Sequence, residues 1–445
     1  MTRTTSHKWT FATRFRRGAF GWKSALPIQR LKEALAEIRQ IARADPVLAA
    51  DGAVALLEKL SPALEHVDSS SGAIGTAVNR AIDALVPVIA GVDVPAPVRM
   101  RWLDRLFDAL QDDPMPYIEQ LGDRWGDLCA SPAIACAWAD RLLPITARVM
   151  GAEGLGEHFA GTTACLSALN AAGRHEELLA LVNGARLNWW GFRQYGVDAL
   201  IALNRPAEAL RYAEASRGLN APTAAIARKC EAILLSSGMM DEAYRRYAIE
   251  ANQATTHLAT FRAIAKKYPD RSSDSILRDL VASSPGAEGK WFAAAKDAGL
   301  LDLAASLAMR GATDPRTLTR AARDFAQRKP AFAVACGTAA LHWMAAGFGY
   351  EITGSATCWM LTARWRRRPL LPAWNVTSST GVCGSGLRPF RGIRSSPRCW
   401  RFIGRHSVRD ASSDGMDGFC TARLAACCHQ RVAPGRVGRR PFRRR

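Results

Sequence analysis

The segment His66-Val67-Asp68-Ser69-Ser70-Ser71-Gly72 gathers an imidazole, a carboxylate and a run of hydroxyls, the residue types of a Ser-His-Asp hydrolase. Such a triad works only when its members converge in space, and neighbours in one loop rarely do. The same string reads as one helix ending and a Ser/Gly start to the next, with an anion at the new helix N-terminus as the functional alternative. Gly151-Ala152-Glu153-Gly154-Leu155-Gly156 has neither the glycine order nor the preceding strand of a dinucleotide loop, and there is no Walker loop. His175-Glu176-Glu177 lacks the second histidine one turn on that a zinc-protease helix requires, and His158, His257 and His342 stand alone. Cys129, Cys136, Cys165, Cys230 and Cys336 fall at apolar helical positions without CxxC spacing, as expected of free thiols in a reducing cytosol. The expectation is a cytoplasmic protein with no catalytic residues, no metal and no cofactor.

Two constellations fit binding better than catalysis. Trp189, Trp190, Phe192 and Tyr195 form the densest aromatic patch, which serves either helix packing or a peptide-binding pocket. In residues 1–25, Lys8, Arg14, Arg16, Arg17 and Lys23 interleave with Trp9, Phe11, Phe15, Phe20 and Trp22. Cations that neutralise phosphate and aromatics that stack on bases suit single-stranded nucleic acid. An extended arm lying along an apolar groove suits the same residues, because so many aromatics are costly to leave in water. The packed arm is the preferred reading.

The elements that must position these residues are helices. From about Leu26 to Trp343 the apolar residues recur at helical spacing, as in Ile226, Cys230, Ile233 and Leu234, or Leu300, Leu303, Ala304 and Leu307, or more loosely Leu258, Phe261, Ile264 and Tyr268. Asp45-Pro46, Ser61-Pro62, Ser131-Pro132 and Asp314-Pro315 each place a capping side chain before a proline, a helix-start signature. Residues 26–150 read as irregular, HEAT-like stacking helices, with Pro87 as a kink or break. Over 151–355, breaks recur at Gly173, Asn204, Gly238, Pro269, Gly299 and Pro330, separated by 31, 34, 31, 30 and 31 positions. A period of that size describes helical hairpins, each burying its apolar face against its neighbours. Small residues such as Ala209, Ala213 and Ala243 would sit at the crossings.

"ALIALNRPAEALRYAEAS" (199–216) and "AILLSSGMMDEAYRRYAIEA" (232–251) are two copies of the theme, and residues 158–345 resemble tetratricopeptide-type repeats. The Trp-Leu-Gly-Tyr signature of the first helix is missing, and the period is nearer 31 than the tetratricopeptide's 34. The span 15–355 also resembles an uncharacterised bacterial family of helical-repeat proteins, some of whose relatives follow a SWIM-type zinc finger; no CxC followed by CxH occurs here. The resemblance implies an all-α helical-hairpin solenoid and carries over no activity or ligand. With the repeats it implies a scaffold for protein or peptide partners. Nucleic-acid association through the arm is the alternative.

The formal charge of +20 is concentrated at the ends. Residues 1–24 contribute +6 and residues 356–445 contribute +16, which leaves the intervening body at −2 and argues against a basic groove running through it. No uninterrupted apolar run reaches the roughly 18 residues of a membrane helix, so no membrane partner is expected. The N-terminus has no apolar signal core, although its acid-free start imitates a mitochondrial presequence. The last ninety residues hold nineteen Arg but no Lys, and four Trp and six Cys but no Tyr. That is neither the composition of an ordinary disordered tail, which is poor in Trp and Cys, nor a zinc-ligand spacing. It is what a GC-rich gene yields when read out of frame. Regrouping each codon's third base with the next two turns Cys358-Trp359 into Leu, Trp359-Met360 into Asp, Trp365-Arg366 into Ala and Trp374-Asn375 into Glu. Ser355 then precedes a permitted Asp-Val-Leu-Asp-Ala-Tyr helix start. Residues 356–445 are therefore expected to be a frameshifted, disordered tail.

Overall fold

The computed structural model describes residues 7–151, 154 and 157–349. The tail 356–445, with its expected disorder, lies outside the described residues. Among the described residues the regular structure is all-helical, with no strand. The chain divides between Gln253 and Ala254 into two compact units, so the boundary expected at 150 falls inside the first.

The first unit opens with α1 (Thr10–Arg14), α2 (Ala25–Ala42), α3 (Pro46–Leu64), α4 (Ala73–Ala90) and α5 (Ala96–Gln111), then two short turns, α6 (Gln120–Asp123) and α7 (Trp125–Cys129), and α8 (Pro132–Met150). Helix α3 packs against α2, α4 and α5 and is the most buried of these, from Ala49 to Leu64. Asp45 caps it by accepting from the Leu48 N–H at 2.9 Å, and Ser131 caps α8 by accepting from the Ile134 N–H at 3.3 Å; each precedes a proline at the first turn. Ser61-Pro62 does not start a helix. It lies in the last turns of α3, where proline forfeits one bond, and the Ser61 hydroxyl donates to the Asp113 carboxylate. Pro87 likewise leaves α4 unbroken, three residues from its end.

Helix α4 is the one described helix long and apolar enough, by length and composition, to cross a membrane, with a mean hydropathy of 1.4. It packs on α2 and α3 through Ile74, Val78, Ile82, Leu85 and Ile89. Where α5, α7 and α8 meet, Phe107, Trp125 and Trp138 form an edge-to-face cluster, with Trp125 and Trp138 centroids 5.0 Å apart and the Arg141 guanidinium over Trp138.

The unit continues with α9 (Thr162–Ala171), α10 (His175–Asn183), α11 (Trp190–Ala202), α12 (Pro206–Glu214), α13 (Thr223–Ser236) and α14 (Met240–Ala251). The second unit holds α15 (His257–Lys267), α16 (Ser273–Ala282), α17 (Phe292–Asp297), α18 (Leu301–Arg310), α19 (Pro315–Phe325) and α20 (Pro330–Ala345). Five of the six breaks read from the sequence fall between α9 and α10, α11 and α12, and so on to α17 and α18, and the sixth, Pro330, is the first residue of α20. Gly173, Asn204, Gly238 and Gly299 all take the left-handed conformation, φ +58° to +77°. The next residue's N–H reaches back five positions to the helix: Arg174 to Leu169, Arg205 to Leu200, Met239 to Leu234 and Leu300 to Ala295, at 2.8–3.0 Å. That is one helix-stop motif used four times. Ala209, Ala213 and Ala243 are fully buried.

Candidate partner-binding site

The four aromatics around α11 separate into two pairs. Trp190 and Tyr195 are buried, and the Tyr195 hydroxyl donates to Asp123 Oδ1 at 2.6 Å, tying α11 to the end of α6. Burial, together with the Asp123 and Asp198 carboxylates, pushes the Tyr195 phenol far above its ordinary range, so it stays a donor. Trp189 is 55% exposed, and its ring lies edge-to-face with Phe192 at 4.8 Å. It can do so because position 191 is glycine, where an added Cβ would meet the Trp189 ring at 2.5 Å. Leu187 beside them is 60% exposed. The surface patch is therefore Leu187, Trp189 and Phe192; Leu187 was not expected from sequence.

The same helix is anchored on its other side. Arg193 lies over the Tyr212 ring at 3.7 Å and donates to Ser216 Oγ, while the Tyr212 hydroxyl donates to Asn183 Oδ1 at 2.9 Å. Tyr195→Phe should accordingly cost about 1.5–3 kcal/mol, the range for a hydrogen bond to a charged partner. Trp189→Ala, on the surface, should cost about 0.5 kcal/mol or less. Urea denaturation of the two variants measures the difference, and equal losses would mean that Trp189 is structural.

The N-terminal arm is docked. Trp9, Phe11, Phe15 and Phe20 are all buried, with Trp9 and Phe11 ring centroids 5.2 Å apart. Arg14 Nη1 donates to Glu33 Oε2 at 2.7 Å, the Thr10 N–H donates to Glu37 Oε1 at 2.8 Å, and Arg17 lies 3.7 Å from Glu65. Trp9, considered for base stacking, is thus buried, and Arg14, considered for phosphate neutralisation, is paired with Glu33. Of the arm's aromatics, Trp22 alone is well exposed, at 72%. Lys8 and Arg16 are exposed and form no ion pair among the described residues.

Neither reactive constellation forms. The His66 ring sits where a Cβ added at Gly18 would meet it at 3.6 Å, while Asp68 Oδ1 accepts from the Ser70 N–H at 2.9 Å, a local turn that lowers the Asp68 pKa. Among the described residues no three His, Cys, Asp or Glu side chains are placed to hold a metal ion. A cavity of about 400 Å³ beside Ala90–Val94 is walled by Arg99, but that buried guanidinium is spent on the Ile89 and Val92 carbonyls at the end of α4. Burial pushes the thiols of Cys129 and Cys336 up to about 12 and those of Cys165 and Cys230 up to about 11. Raised pKa values keep these thiols protonated and unreactive at pH 8. Iodoacetamide at that pH should therefore label Cys136, which is partly exposed, well before the other four; mass spectrometry of the tryptic peptides reads the order.

No protein-family model, no curated protein and no solved structure matches this chain.

Proposed function

We propose that this chain is a non-catalytic scaffold of stacked helical hairpins, and that a protein or peptide partner docks on Leu187, Trp189 and Phe192. The hairpin reading is supported by the recurring stop motif and by the small buried residues of α12 and α14, which allow close helix approach. The docking reading is carried by one observation: a tryptophan and a leucine, each more than half exposed, lie on the N-cap and preceding loop of a helix whose other side is anchored through Tyr195 and Arg193. Rigid, exposed aromatics of this kind dominate binding energy at protein interfaces. A reducing, cytoplasmic setting belongs to the same proposal and is supported by the free buried thiols.

The test compares partners captured from a lysate by the full chain and by Leu187→Ser/Trp189→Ala. Partners lost by the variant, with its helical circular dichroism unchanged, support the patch; an identical set of partners refutes it. Nucleic-acid association would rest on Lys8, Arg16 and Arg17 at the arm's surface, and would show as retention that weakens steeply with salt.

A further inference from the structure

Helices α2 and α4 enclose a groove of about 550 Å³ whose chemistry is unlike that of the aromatic patch. Its floor is apolar: Ile28, Leu31 and Leu35 repeat at i, i+3 and i+7 along α2 and face Ala73 and Ala77 of α4. Its rim is cationic, formed by Lys32, Arg39 and Arg80, and no carboxylate lines it.

These three cations have no ion-pair partner among the described residues, and the reason is visible in the neighbouring contacts. The acids of α2 are on its other side and are spent on the arm, Glu33 on Arg14 and Glu37 on the Thr10 N–H. Asp83, one turn from Arg80, pairs instead with Arg124 at 3.3 Å. The groove also ends at the start of α4, where Gly72 (φ +68°) offers no side-chain cap.

We propose that this groove docks an acidic amphipathic helix of a partner protein. Charge complementarity selects the occupant. Three uncompensated cations around a recessed apolar floor call for carboxylates flanking apolar side chains, the pattern of a helix laid in a groove. Lys32 and Arg39 are seven positions apart, about 10.5 Å along the α2 axis. That spacing matches acids at i and i+7 of a ligand helix, with one apolar anchor between them seated against Leu35 and another, beyond the Lys32 end, against Ile28. A polynucleotide would leave the apolar floor unused, and a flat lipid surface could not reach it. Trp22 is on the segment whose carbonyl accepts from the Asp68 N–H at 2.9 Å, so an exposed aromatic is fixed to the loop that leads into the groove wall at Ser71.

The experiment uses the full chain and a fluorescent synthetic helix with leucines on one face, glutamates flanking them and a photo-crosslinker among the leucines. Anionic phosphatidylserine vesicles serve as a second probe. The nineteen arginines of residues 356–445 will attract any acidic peptide, so the comparison is between two variants of equal net charge. One carries Lys32→Glu, Arg39→Glu and Arg80→Glu; the other carries Lys266→Glu, Arg320→Glu and Lys329→Glu. The groove variant should weaken peptide binding by about tenfold or more relative to the other, and crosslinks should map to residues 28–39 and 71–80. If the glutamate variants lose helical circular dichroism, glutamine at the same positions replaces them. Equal binding by the two variants, crosslinks confined to residues 356–445, no peptide binding at all, or groove-dependent binding of the vesicles alone would each overturn the proposal.

Discussion

Replacing Gly52 by leucine should detach the N-terminal arm and lower stability by about 2–4 kcal/mol. Gly52 is in the middle of α3, where glycine costs about 1 kcal/mol relative to alanine, so on propensity alone the substitution should help. The contact decides otherwise: an added Cβ would lie 2.1 Å from Trp9 Cζ2 in the rigid core of the arm. Emptying a tryptophan site costs about 3–5 kcal/mol, which exceeds the helical gain. Arg14→Ala, by contrast, removes an ion pair whose two side chains are both more than a third exposed, and should cost under about 1 kcal/mol. Chemical denaturation measures the stability, and limited trypsin digestion at Arg14, Arg16 and Arg17 reports whether the arm has lifted. An unchanged melting curve with an unchanged digestion pattern would mean that Trp9 does not hold the arm.

That glycine shows which parts of the molecule were legible in the sequence. A glycine amid α3's apolar helical pattern is a local signal of close approach, but nothing local says that Trp9, 43 positions earlier, is what approaches. The helix stops at Gly173, Asn204, Gly238 and Gly299 could be read directly, because the left-handed conformation selects Gly or Asn whatever packs nearby. Ser61-Pro62 carried the same letters as the true helix start at Ser131-Pro132. It lies inside α3, and its hydroxyl donates to Asp113, 52 positions away in the chain. Trp189 and Trp190 are chemically identical neighbours with opposite fates. The burial of α11 is set partly by the bond from Tyr195 to Asp123, a contact spanning 72 positions. The α2–α4 groove was legible only as a helix N-terminus near Gly72. Its unpaired cations become visible once the arm is seen to occupy the acids of α2.

Regrouping the codons from Ala356 onward in the alternative register should give a continuous open frame past Trp374, and the chain made that way should be more soluble and more stable. The argument starts at α20. Its buried side is Phe332, Ala333, Cys336, Gly337, Ala339 and Ala340, and Trp343 donates its indole N–H to the Ala308 carbonyl at 2.7 Å. Trp343, at the end of that side, and Leu341, on the opposite side, are only half-buried, and Phe348, packed edge-to-face on Trp343, is 47% exposed. In an array where each hairpin covers its predecessor, the exposed end of this last hairpin is what a following helix would cover. The alternative register permits such a helix, acid-led and alanine-rich, immediately after Ser355. Nineteen arginines in ninety residues cannot do the same work, since guanidinium groups are almost never buried without partners. Covering the exposed parts of Leu341, Trp343 and Phe348 should contribute about 2–3 kcal/mol, at about 1.5–3 kcal/mol for each fully buried large side chain. Sequencing the gene across the codons for Gly354 to Cys358 and beyond gives the frame, and denaturation of the two products gives the energy. A stop codon in the alternative register before the Trp374 codon would end the frameshift account, and the arginine-rich segment would then have to be understood as sequence selected in its own right.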